Sequence, residues 1–135
     1  MSVLALARAM RAHTPAGVEV HVGEAPPSAT LPWVVLNAKV PGVRERAEAS
    51  TPLAGVARLA ATIAATSEDA VLVVADKVIV AFEGARPVAP GWACSPLVQV
   101  PETVNVYSDS VTIAGTNRRI AVAALMFETT VSRTA

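Results

Sequence analysis

The closing segment of the chain constrains the fold more than any other. Ile120–Val131 (IAVAALMFETTV) carries a single charge, Glu128. Its length and apolar content predict one long final β-strand, covered along most of its length. A chain of 135 residues has little material for that task, so part of the cover is expected from other chains. The preceding segment, Asn105–Arg119 (NVYSDSVTIAGTNRR), reads as a polar, turn-rich loop. Gly115 has the character of a hairpin-type turn glycine, where a positive φ is needed.

Length suits a single domain over residues 1–135, with loops at 39–52 and 101–119. Hydrophobic residues make up 53% and charged residues 16%, and the formal net charge is +0. Globular domains average about 25% charged residues. A neutral surface with few charges guards weakly against self-association. Two readings carry equal weight: a part of an assembly, or an alanine-rich composition with no bearing on assembly. Neutrality argues against broad nucleic-acid binding, which needs clustered Lys and Arg to displace counterions. The one cysteine, Cys94, excludes an intrachain disulfide and fits a reducing cytosol. Arg8 and Arg11 follow the short N-terminal apolar run instead of preceding it, which is not the order of a signal peptide. No stretch approaches the ~20 apolar residues of a membrane span.

Periodicity supplies the element order. Ser2–Ala12 predicts a short helix with Val3, Leu6, Ala7 and Met10 on one face, ended by Pro15 and Gly17. Val18–Val22 alternates as a half-buried strand. A second strand covers Pro32–Ala38, and the charged Lys39–Thr51 segment is a hairpin tip or loop. Leu53–Thr66 reads as a strand with Leu59, Ala61, Ile63 and Ala65 on one face and Val56, Arg58, Ala60 and Thr62 on the other, although its alanines tolerate helix equally well. Thr66–Glu83 is rich in strand formers, yet Val71, Val74, Ala75, Val78 and Phe82 form a helical stripe. Ser67 offers an N-cap, Glu68 and Asp69 suit a first turn, and Gly84 suits a stop. The expectation is a helix, with two short strands meeting at Asp76–Lys77 as the alternative. Trp92–Val100 reads as a strand of irregular pattern, with Pro96 keeping it from a central place. The fold class expected is α+β: a mixed or antiparallel sheet of about four to five strands packed by two helices, in the order helix-strand-strand-strand-helix-strand-strand.

No catalytic constellation emerges. His13 and His21 lack partners at metal-ligand spacing, and no glycine-rich phosphate loop or nucleophile elbow is present. Ser108, Asp109 and a histidine can be drawn as a triad, but Asp109 better suits a side-chain turn. Cys94 fits the role of a small buried hydrophobe. Asn117, Arg118 and Arg119 form the only basic cluster, readable as solvated turn residues or as a contact to an anionic group. Trp33 and Trp92 fit core packing or interface anchors.

Read together, Leu31–Pro32–Trp33–Val34–Val35–Leu36, Ala61–Thr66 leading into the Ser67–Gly84 helix, Asn105–Val106–Tyr107–Ser108–Asp109, and Gly115–Thr116–Asn117–Arg118–Arg119 followed by the last strand give the chain a pattern that resembles the tail-terminator family of long-tailed bacteriophages and prophages. The likeness runs from about Leu4 onward and rests on pattern and order. The valine-rich Ser67–Phe82 helix departs from the family, which is usually richer there in helix formers. The resemblance implies a virion protein forming a six-membered ring. That ring caps the head-proximal end of the tail tube, stops tube growth and presents a surface to head-completion proteins, while DNA passes through its opening. It implies no catalysis, no cofactor and no membrane. The partners implied are further copies of the chain, the tail tube protein and a head-completion or neck protein. Contact candidates are Lys39, Arg44, Glu45 and Arg46 on the charged loop, and Tyr107, Asp109, Asn117, Arg118 and Arg119 on the polar one. A head–tail connector or other neck protein is the nearest alternative; a small hydrolase or ligand-binding subunit is the alternative from another class.

Overall fold

A computed structural model describes residues 3–26, 29–39, 55–100, 106–113 and 116–133. Its elements run α1 (Val3–Met10), β1 (Glu19–Val22), β2 (Trp33–Lys39), β3 (Gly55–Ala65), α2 (Glu68–Phe82), β4 (Trp92–Cys94), β5 (Val98–Gln99), β6 (Val106–Ile113) and β7 (Thr116–Arg133). The strands join in one sheet, ordered β1-β2-β3-β7-β4, with β5 and β6 also paired to β7. Only the β1–β2 pair is parallel; the rest are antiparallel.

The final strand is longer than the apolar run that announced it. One edge of β7 pairs with β3 from Ala121 to Val131. Its other edge is occupied piecewise: β6 along Thr116–Ala123, β5 at Phe127–Glu128 and β4 at Val131–Arg133. Backbone bonds from Val100 N to Met126 O (2.8 Å) and from Ser95 N to Thr130 O (2.9 Å) fill part of the space between these pieces. Alternation sorts β7 onto two faces. Ala121, Ala123, Leu125, Phe127, Thr129 and Val131 are buried beneath the helices, whereas Glu128, the charge in the run, lies among the residues on the other side.

The expected fold is corrected in two places. The segment 101–119 is not a loop throughout, because Val106–Ile113 and Thr116–Arg119 pair as a hairpin. The β-branched Val106, Val111, Thr112 and Ile113 favour an extended ladder. Trp92–Val100 is two short strands instead of one, since Ser95–Leu97 leaves the ladder around Pro96, which has no N–H to give. The order therefore holds two strands more than expected between α2 and the last strand.

The segment with two readings is a helix. Ser67 has extended backbone angles, and its Oγ accepts from Ala70 N at 3.1 Å. Val71, Val74, Ala75, Val78 and Phe82 are buried, the same stripe that 3.6-residue periodicity selects. Gly84 ends the helix at φ +80 and donates its N–H to Leu97 O at 2.7 Å. The helix begins directly after β3 and packs back over β3 and β7, so its C-terminus lies near β5, which pairs at Glu128. The Leu31–Pro32 peptide at the entry to β2 is cis.

One continuous core joins Leu6 and Met10 of α1 to the α2 stripe and the inner rows of β2, β3 and β7. At its centre the rings of Phe82 and Phe127 lie 5.7 Å apart, tilted by 48°. Thr129 is the buried polar residue among the described residues. Its hydroxyl donates to Ser95 O, and Ser95 Oγ accepts from Thr130 N at 2.8 Å, so the two groups fasten the irregular segment to β7. The Cys94 thiol is half-buried against the core, and burial pushes it up from the ordinary thiol range.

Replacing Phe127 by Ala removes the centre of this core and should lower unfolding stability by about 3–5 kcal/mol in denaturant titration. Thr129→Val keeps shape but strands the Ser95 carbonyl, and about 1–3 kcal/mol should be lost in the same measurement.

Candidate assembly interface

Both helices pack on one face of the sheet, and among the described residues no helix covers the other face. Register arranges that second face in rows across the strands. Glu19, Trp33, Ala64 and Val122 form one row; His21, Val35, Thr62 and Ala124 the next; then Asn37, Ala60 and Met126; then Lys39, Arg58 and Glu128. Leu31 and Trp33 pack over Ala64, Ile120 and Val122 at one end. Toward the middle the face turns to small or apolar side chains only partly covered: Ala60, Thr62, Ala124 and Met126. The charges stand at the rims.

Arg58 Nε lies 3.6 Å from Glu128 Oε2, with both side chains about half exposed. A pair so exposed contributes at most about 1 kcal/mol, so its role is register more than adhesion. Lys39 aligns with Arg58 on the opposite side, so Glu128 offsets two neighbouring positive charges. At the β1 edge, Glu19 Oε2 accepts from Thr30 N at 2.9 Å, and its Oε1 lies 3.0 Å from His21 Nε2, off the hydrogen-bonding direction.

The expected contact segments are rooted at opposite ends of this sheet. The charged loop leaves β2 at Lys39 and the chain re-enters the sheet at Gly55, at the Arg58–Glu128 rim. Arg44, Glu45 and Arg46 lie outside the described residues. The hairpin carrying Tyr107, Asp109, Asn117, Arg118 and Arg119 stands at the other end. The last rung between β3 and β7 is Ala65↔Ala121, yet β6 and β7 remain paired from Asp109↔Ile120 to Ile113↔Thr116. Those further rungs extend the ribbon about 17 Å at the usual rise per residue. Tyr107 registers with Val122 at the base; Asp109, Asn117, Arg118 and Arg119 register along the projecting part.

The residues once drawable as a triad are not brought together. His21 lies on β1 and Asp109 on β6, four strand spacings apart, or about 19 Å. Among the described residues no group of three or more His, Cys, Asp or Glu could hold a metal ion. His13 follows α1 on the surface. Trp33 contributes to the small cluster on the open face and Trp92 packs partly buried against the main core, so each has a packing role.

The apolar open face was the feature least visible before the strands were paired. Its signal lay in the alternate residues of β3, where Ala60 and Thr62 stand between Arg58 and Ala64. Only register showed that the matching positions of β2 and β7 are equally uncharged. The projecting ribbon left a clearer trace, since a turn of the kind expected at Gly115, which lies outside the described residues, needs a strand on each side.

The sequence matches no protein-family model and no curated protein. Among solved structures, a chain from the "Virion of native gene transfer agent (GTA) particle" is similar in fold, with a TM-score of 0.56 at 16% identity, over 91% of this chain and 84% of that one.

Proposed function

We propose that this chain is a structural protein of a phage-like virion. In this reading it closes with copies of itself into a ring, a hexamer, that caps the head-proximal end of a tail tube, ends tube growth and meets the head-completion or neck protein. DNA passes through the opening without being read. The observation that carries the proposal is that the two segments expected to make contacts are rooted at opposite ends of one sheet, one between Lys39 and Gly55 and the other in the β6–β7 hairpin. Such a subunit meets its neighbour head to tail, and head-to-tail contacts close into rings when the rotation between neighbours divides a full turn. The open face, small and nearly uncharged between charged rims, has the composition of a surface that packs against protein. The fold likeness to a chain of the gene transfer agent virion agrees with this reading, as does the pattern shared with tail terminators.

Particles lacking the chain should carry overlong tails when viewed by electron microscopy. Filled heads without joined tails would instead identify a connector, and unaltered particles would remove the chain from head–tail assembly. In purified protein, Arg118→Glu with Arg119→Glu should raise the concentration for half-maximal ring formation at least tenfold by native mass spectrometry or light scattering, with the thermal melt unchanged. Unaltered assembly would assign the two arginines to solvent.

A further inference from the structure

The outward side of α2 does not look like the outside of a solvated helix. Leu72 is 47% exposed, Val73 59% and Val80 76%, and all three stand on the side turned away from the sheet. Asp69 and Asp76 lie among them, also exposed. From Ser67 to Glu83 the helix and its caps hold Glu68, Asp69, Asp76 and Glu83 against Lys77, a net of −3 in a chain whose total is +0. Among the described residues, the ion pairs are Glu19–His21 and Arg58–Glu128, and neither involves α2. Beside Asp76 and Val80 the surface dips into a shallow hollow bordered by Thr14, Pro15 and Ala16.

The projecting β6–β7 ribbon has the complementary content. Val106–Ile120 holds Arg118 and Arg119 against Asp109, a net of +1, together with Val111 and Ile113. A two-stranded ribbon standing alone is marginally stable in water. Among the described residues both of its margins are unpaired along the outer rungs, because β3 ends at Ala65↔Ala121 and β6 pairs with β7 alone. Its own α2 meets β6, but its axis leads away from the outer rungs. The helix starts at the ribbon's end of the sheet and runs the other way, toward the strand pair at Glu128. The outward face of α2 is turned away from the sheet that carries its own ribbon.

We infer that the outward face of α2 is the docking surface for the β6–β7 ribbon of a second copy of this chain. The apolar Leu72, Val73 and Val80 supply burial, and the carboxylates of Asp69 and Asp76 meet the cationic ribbon, which sets orientation and encounter rate. The contact is heterologous: each copy offers a ribbon at one end and a helix face to the next. The inference rests on the ring reading and names the surface through which neighbours meet.

Three full-length variants test it by native mass spectrometry and sedimentation. One carries R118E and R119E, the second D69R and D76R, and the third V73S and V80S, which leaves the first-turn carboxylates in place. Each should raise the concentration for half-maximal assembly at least tenfold with an unchanged circular dichroism spectrum. Mixing the first with the third leaves one intact ribbon and one intact helix face per pair, so heterodimers should form and stop there. Combining R118E and R119E with D69R and D76R in one chain should recover at least half the parental assembly. If the helix variants assemble as the parent does, or the mixture yields no heterodimer, the docking site is wrong while the ring survives. A parent that never self-associates, alone or on tube ends, overturns both.

Discussion

Both backbone edges of β7 have to be satisfied, and the rest of the molecule is arranged around that demand. A strand this apolar and this long, left with an open edge, would template pairing with any passing chain. β3 closes one side from Ala121 to Val131 in a single unbroken ladder. No single strand closes the other; β4, β5 and β6 share it. The Thr129–Ser95 hydroxyl link holds the irregular middle of that second side in place. α2 then covers the inner row, and Phe82 meets Phe127 where the two layers join. Loss of the β7 ladder would therefore disconnect four partner strands at once.

Covering one face fully and the other sparsely divides the labour within the sheet. The inner rows of β2, β3 and β7 contribute to the core, and their alternation with smaller outward residues is the ordinary pattern of an antiparallel sheet. What differs is the outward set. Ala60, Thr62 and Ala124 are too short to shield the sheet from water and carry no charge to repel another protein. Where β1, β2 and β3 line up with β7, the ionisable side chains of that face are Glu19 and His21 at one side and Lys39, Arg58 and Glu128 at one end.

Much of this was legible in the residues because local and global preferences agree. The α2 stripe, its Ser67 cap and its Gly84 stop point one way, so a valine-rich segment folds as helix despite strand propensity. β3 could be read because its large residues alternate, even though its alanines suit either structure. The β6 strand was hidden because its polar residues resemble those of turns, and ladder partners lie outside any local window. Pro96 warned that Trp92–Val100 is irregular, but not that β7 would bridge the two halves. For the contact candidates, sequence identified charged segments; that two of them leave the sheet at opposite ends follows from pairing alone. The open face is likewise a product of register, invisible until three strands are laid side by side.

Strands twist, and the rotation accumulates along and across a sheet. The cationic ribbon extends that twisted surface and α2 packs on it, so the angle between ribbon and helix is fixed inside the subunit and not at either contact. In any closed assembly of this chain, that internal angle sets how many copies complete the circle. A change buried midway along β7, remote from every neighbour, can thus alter the stoichiometry of the whole while leaving each junction chemically untouched.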